Sequence, residues 1–397
     1  MTSDQDGLGT PVPSAFGGTF DLQDFYRGFR RGEITPQNMQ RWPYYRYVSA
    51  RWPEFCQTAT VPIRPSREPA TLEAGERFDL AAEFRAGTTY LQSLIDTQVK
   101  GFVVLRDGEL LAEFYDNGFN LGDVNLLQSA SKTLAGVVIH RLADAGILTL
   151  DATVCDLLSD FAGTTIGAAT VQQVLDMASG AQTLLDFHAP GSNDQQWEIE
   201  IGLQAGTRKG HIDAIKAAVK AAEPGTAWNY TDKNTDALAI IAERSSGRRF
   251  VELLEDLFDD FGANDAGSIV VTDDGTASPC YGISMTTRDY ALFHQWVAQR
   301  SAPTSYYASA MDASKNLITT TNPLAAELFA GTTYGSQTYF LVDDDVLFSS
   351  GSFGQIAMSD MKTGTVVAMH ADWANNAVPD KFEESRSRAV SIIDALR

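Results

Sequence analysis

Two β-prone regions near opposite ends of the chain, separated by a long helical block, restrict the fold more than any other feature. The run GFVVLRDGELLAEFYDNG reads as two apolar strands joined by Asp107-Gly108, a dipeptide that suits the two-residue turn of a hairpin. From Leu150 to Arg249 the patterns are helical and turn-like, as in TVCDLLSDF, TVQQVLDMASG, HIDAIKAAVKAA and NTDALAIIAERSSG. Strands return in TYFLVDDDVLFSSG, GQIAMSDM and GTVVAMHAD, interrupted at Asp343 to Asp345 and at Lys362-Thr363-Gly364. KFEESRSRAVSIIDALR then closes the chain as an amphipathic helix able to cover one face of a sheet. The simplest chain path is an α/β (α+β) sandwich with an antiparallel sheet flanked by helices and an inserted all-helical domain, the chain returning to its first sheet.

The expected division places the sheet domain in residues 81–128 and 284–397 and the mostly helical domain in 129–283, with the active site at their interface. Residues 1–80 carry Pro11, Pro13, Pro36, Pro43, Pro53, Pro62, Pro65 and Pro69, which resist long regular elements, so regular structure is expected from near Phe78. Trp42, Tyr44, Tyr45 and Trp52 give this extension apolar surface to lay against the body of the protein or against a second subunit, which leaves a homodimer open.

Charge and cysteine usage narrow the partners. Fifty-one acidic against thirty basic residues give a net charge of -21, which repels phosphate backbones and anionic headgroups, so neither nucleic acid nor a membrane surface is an expected partner. Cys56, Cys155 and Cys280 are far apart and lack metal-ligand spacing, so neither a disulfide framework nor a metal site is expected. No phosphate-cradling glycine loop is present, and no cofactor is expected. With no basic, apolar leader at Met1 and no apolar run of about 18 residues, the expected location is the cytoplasm.

The chemistry points to LLQSASKTLAG, Leu126 to Gly136. TLAGVVIHRLADAG places Leu134, Val137, Val138 and Leu142 on one helical face and stops at Gly146, so Ser129 is expected in the first turn of a helix. Three residues apart on a helix share a face, which brings the Lys132 amine to the Ser129 hydroxyl. Such a pair runs acyl transfer without histidine when the lysine can accept the serine proton. Taken alone, the same residues fit a helix cap and a solvated lysine. A second Ser-x-x-Lys, Ser359 to Lys362, falls where a polar turn is expected and is read as structural. His140, inside the following helix, reads as a packed or surface residue.

Around the first copy the sequence resembles the serine β-lactamase and penicillin-recognising family, in particular its class C branch with the related esterases and 6-aminohexanoate-dimer hydrolase. The likeness runs through the hairpin, Leu127 to Lys132, LTLDATV from Leu148, TVQQVLDMASG from Thr170 and YGISMTTRD from Tyr281. It implies a β-lactamase-like fold, with Ser129 as nucleophile of an acyl-enzyme and Lys132 and Tyr230 as the proton-moving pair, the Tyr230 phenolate favoured by the lysine ammonium. The motif tyrosine is followed two positions on by Asp232, where the family has an amide or hydroxyl. The third motif aligns with Ser349 to Gln355, and there the backbone N–H groups of Ser129 and Ser352 would form the oxyanion hole. The family's cation is absent from that motif, which favours an uncharged small-molecule ester or amide over a β-lactam. Asp232, Gly351 and Phe353, with His188 and Trp197 from the segment Leu184 to Arg208, are the expected substrate contacts. The stretch after Met177 and Cys280 depart from the substrate-side residues of the dimer hydrolase. Besides ester or amide hydrolysis, acyl transfer fits the same residues, and a binding protein that has lost turnover fits Asp232 and the absent cation.

Overall fold

The computed structural model describes residues 31–41, 43–116, 118–183, 191–315 and 329–397. Their centre is an eight-stranded sheet, ordered Thr332–Gly335, Thr338–Leu341, Val346–Gly351, Gln355–Asp360, Thr365–Ala371, Val99–Arg106, Glu109–Tyr115 and Glu73–Ala74. All neighbours run antiparallel except the short last pair. The hairpin forms at the expected dipeptide: Asp107 and Gly108 have φ of 51° and 88°, the left-handed pair that a two-residue hairpin turn demands. Thr365 to Ala371 pairs with Arg106 to Val99, so the late strands rejoin the early hairpin.

Alternation along the central strands separates two apolar layers. Val103, Leu105, Val366 and Ala368 face the larger core, which contains the Ser131–Asp144 and Thr287–Ala298 helices. Phe102, Val104, Val367 and Met369 face the other side, where Leu94, Phe382, Ala389, Ile392 and Ile393 of the Tyr90–Asp96 and Pro379–Leu396 helices cover them. Each such side chain taken from water contributes about 1.5–3 kcal/mol, so one register slip would exchange the two sets and is strongly opposed.

The proline-rich extension is more regular than its composition suggests. Helices Tyr44–Ser49 and Trp52–Phe55 and the strand Ala59–Ile63 all precede Phe78. Pro53 stands in the first turn of its helix, where a missing N–H costs nothing, and Pro62 lies in an edge strand that pairs only with Gly267–Val271. That strand belongs to a second sheet, ordered Ala59–Ile63, Gly267–Val271, Ile283–Thr286 and Val124–Leu126. Tyr45, Val48 and Trp52 are fully buried in the body. Charge fastens the same segment. Asp372, just past the central strand, takes Lys100 Nζ at 2.5 Å and Arg46 at 3.1 Å, while Ser49 Oγ accepts from Lys100 at 2.8 Å. Burial pushes the Lys100 amine down to about 8 against the upward pull of Asp372.

The second Ser-x-x-Lys does not form a pair. Ser359 lies inside the Gln355–Asp360 strand, not in the turn, and is buried with its hydroxyl 2.8 Å from His294 Nδ1, whereas Lys362 is exposed. A strand that turns after Asp360 rather than before Ser359 accounts for the difference.

Candidate active site

The nucleophile candidate is presented by a sharp turn. Leaving the Val124–Leu126 strand, the chain passes through Gln128 at φ 53°, a left-handed conformation uncommon for glutamine, and forms the 3₁₀ turn Gln128–Ala130. The α-helix starts only at Ser131, so Ser129 stands one turn ahead of it and not in its first turn. The helix is buried around most of its circumference, His140 included, and from Asn125 to His140 Ser129 alone reaches the surface. Two contacts fix the turn. Gln128 Nε2 donates to the Tyr45 hydroxyl at 3.1 Å, and Gly351, at the end of its strand, lies so close that a Cβ would collide with the Leu127 carbonyl.

Lys132 is buried and its Nζ meets three acceptors: Ser129 Oγ at 2.9 Å, the Cys280 carbonyl at 2.5 Å and Asp232 Oδ1 at 2.5 Å. The first two are hydrogen bonds and the third is an ion pair. The Cys280 carbonyl is itself held in place, because the Cys280 N–H and the Ser278 hydroxyl donate to Asp236, whose other oxygen lies 2.9 Å from His211 Nε2. Asp232 opens the Asp232–Ser246 helix and is partly exposed to the same cleft as Ser129.

Tyr230 hydrogen-bonds to the hydroxyls of Ser129 and Tyr339, and its ring centroid is 5.0 Å from Lys132 Nζ. Burial, reinforced by the Asp232 charge, pushes its hydroxyl well above the ordinary tyrosine range. It is therefore a phenol, and the phenolate expected beside the lysine is opposed by the carboxylate that neutralises that lysine. Tyr334 and Tyr339, cross-strand partners on one hairpin, extend an aromatic wall with Trp228. Their turn, Ser336-Gln337, has φ of 51° and 63° without glycine. Ser336 N–H donates to Asp176, Gln337 N–H to the Leu175 carbonyl, and Thr133 Oγ1 to the Gln337 carbonyl, which pins this turn to the serine helix.

The remaining sequence-derived contacts divide. Gly351 and Ser352 are half-buried at the rim, with Gly351 in close contact with the nucleophile turn. Phe353 points inward and stacks on Tyr45 with centroids 3.8 Å apart, so its side chain does not reach the cleft. Its φ of 64° and the φ of 91° at Gly354 turn the chain sharply after the strand and aim that ring into the core. Trp197 is also a core residue, 1% exposed, placed inward by the helical phase of Asn193–Glu200. His188 lies outside the described residues. Sequence reasoning missed Tyr45, Tyr334 and Tyr339, whose roles depend on partners remote along the chain. The alternation in TYFLV was the available signal for Tyr339.

The contact at Gly351 gives a direct prediction. Gly351→Ala is expected to push the Leu127 carbonyl and with it Ser129 out of line, lowering kcat/KM roughly 10²-fold and stability by about 1–3 kcal/mol. Steady-state kinetics beside urea melts measure the two effects separately. Unchanged kinetics would mean that the turn position does not control the reaction.

An antiparallel sheet with helices on both faces, and a buried lysine bonded to a surface-reaching serine at the start of a central helix, defines the penicillin-recognising class of serine hydrolases. The chain belongs to the β-lactamase family, whose profile matches residues 92–391. It is 33% identical over 269 residues to the 6-aminohexanoate-dimer hydrolase of Paenarthrobacter ureafaciens, a match covering 67% of this chain and 68% of the relative. Among solved structures it is similar to a Bacillus anthracis protein provisionally named 6-aminohexanoate-dimer hydrolase, with TM-score 0.79, 22% identity and coverage of 92% and 97% of the two chains. EstCE1, a hydrolase with promiscuous acyltransferase activity, aligns with TM-score 0.60 and 16% identity over 76% of this chain and 96% of its own. Among the described residues no helix is long and apolar enough to cross a membrane.

Proposed function

We propose that the protein hydrolyses a small, uncharged carboxylic ester or amide through an acyl-enzyme on Ser129. The observation that carries this reading is the bond between buried Lys132 and the hydroxyl of Ser129, the one residue of the serine turn that reaches the surface. Ser129 Oγ attacks the carbonyl carbon while Lys132 and Tyr230 move the proton, and the backbone N–H groups of Ser129 and Ser352 receive the developing alkoxide. The close approach of Gly351 to the Leu127–Ala130 turn supports this pairing, because it brings the two segments that bear those amides together. Water then releases the acyl group. Half-buried Ser350 and Ser352 offer no cation for a substrate carboxylate, which supports a neutral substrate. Linear amide cleavage is the second reading, favoured by the 33% identity to a 6-aminohexanoate-dimer hydrolase. The three cysteines are all free, which fits a cytoplasmic setting.

Incubation with a fluorophosphonate followed by peptide mass mapping tests the assignment. The expected adduct is on Ser129, with p-nitrophenyl butyrate turned over by the unmodified protein. An adduct on Ser352 or Ser359, or none with no turnover, overturns it.

A further inference from the structure

The lysine of this site is already fully engaged. A Lys132 ammonium that donates to the Cys280 carbonyl and Ser129 and is ion-paired with Asp232 Oδ1 at 2.5 Å has no lone pair with which to accept the Ser129 proton. Tyr230 offers no ready alternative base, since burial and the Asp232 charge keep it a phenol. The proton of Ser129 nevertheless has to leave for acylation to proceed, and a carboxylate lies at hydrogen-bond distance from the lysine.

Resting on the acyl-enzyme reading above, we infer that Asp232 is the terminal proton acceptor of a Ser129–Lys132–Asp232 relay and serves the reaction through the lysine. In the acylation step Lys132 Nζ passes one proton to Asp232 Oδ1 and takes the hydroxyl proton of Ser129. The Ser129 O–H bond breaks, the Oγ–C bond forms, and the carbonyl π pair moves onto oxygen as the alkoxide. On collapse that pair returns, the bond to the leaving group breaks, and the leaving group departs with the Tyr230 proton. Tyr230 is reprotonated by Lys132, and Lys132 recovers its proton from Asp232, so the resting charges are restored. The ion pair seen here is the resting state of that cycle.

The surroundings favour such a shuttle over a fixed ion pair. On the next helix the Glu198 carboxyl is pushed up to about 7 by burial, with Asp232 and Asp194 adding to the effect. Lys233, the neighbouring cation, is bound to Asp194 at 2.7 Å and so is partly neutralised. The other groups facing Asp232 are the Tyr230, Tyr334 and Tyr339 hydroxyls and the Cys280 thiol, all held in their neutral forms by burial. Among the described residues Lys132 and Lys233 are the cations that face the Asp232 charge, and Lys132 is the one ion-paired with it. A bound acyl group that excludes water from the cleft weakens the solvation of both charges, which favours the neutral lysine–carboxylic acid pair.

Asp232→Asn separates this role from a structural one, because the amide keeps the size and shape of the side chain and removes only the proton-accepting carboxylate. With the relay, the variant loses its acceptor: kcat for p-nitrophenyl butyrate at pH 7 should fall at least tenfold with little change in KM. Its rate should climb through the alkaline range in which a lysine amine loses its own proton. Asp232→Glu keeps a carboxylate and should retain the wild-type pH profile even at reduced kcat, which guards against misreading a folding defect. If Asp232→Asn matches or exceeds the wild type at pH 7, or if Glu behaves as Asn does, the relay is wrong while the Ser129 assignment stands. If the wild type itself gives no Ser129 adduct and no turnover, the acyl-enzyme reading fails and the relay fails with it.

Discussion

Alanine at position 129 will leave a folded protein whose ester turnover is lower by roughly 10⁴-fold or more, with no fluorophosphonate adduct remaining. The magnitude follows from the loss of covalent catalysis. Without Oγ there is no acyl-enzyme, and what survives is the contribution of binding and of the amide donors. The fold should survive because the substitution orphans nothing buried. Lys132 keeps its hydrogen bond to the Cys280 carbonyl and its ion pair with Asp232, and Ser129 is the residue of the turn that reaches the surface. A stability change of within about 1 kcal/mol is expected, measured by urea melting beside the kinetics. Retained turnover in a folded Ser129→Ala protein would place the nucleophile elsewhere.

Asp372→Ala should have the opposite character, a large loss of stability from a residue far from the reacting atoms. Asp372 has no exposed surface and holds two cations, Lys100 at 2.5 Å and Arg46 at 3.1 Å. Removing it leaves Lys100 buried with the Ser49 hydroxyl and the Phe119 ring but no ion-pair partner in contact, since Arg46 can still turn to Asp116. Breaking one partner out of a buried pair costs about 3–5 kcal/mol, mostly through the uncompensated charge that remains. The measurement is a urea or calorimetric melt of the variant against the parent. An unchanged melt would show that the apolar contacts of Tyr45, Val48 and Trp52 hold the extension without the charges.

What was legible in the chain and what was not divide along a physical line. The Asp107-Gly108 hairpin, the break at Asp343 to Asp345, the closing helix and the Ser129–Lys132 pair are all written in residues near one another in sequence, and each is where local chemistry places it. The misreadings concern directions that only distant partners decide. Pro62 enters a strand because the far edge of that sheet is open. Phe353 turns inward because Tyr45 waits there, and Trp197 because the larger core has room for an indole. Tyr230 remains a phenol because burial raises its hydroxyl and the carboxylate two places on adds to the effect, surroundings that the motif alone does not reveal.

Tyr45 connects these themes. Its hydroxyl meets Gln128, the residue before Ser129, and its ring meets Phe353, the residue after Ser352. One side chain thus clamps the two halves of the site from behind, and it comes from a segment that precedes the stretch matched by the family profile. Ser129, Lys132 and Tyr230 lie inside that stretch, but the spacing of the two segments is held from outside it. Loosening the Tyr44–Ser49 helix from the body would therefore silence the site while the central strands still pair, and the working range of this protein is set by how firmly that one helix stays seated.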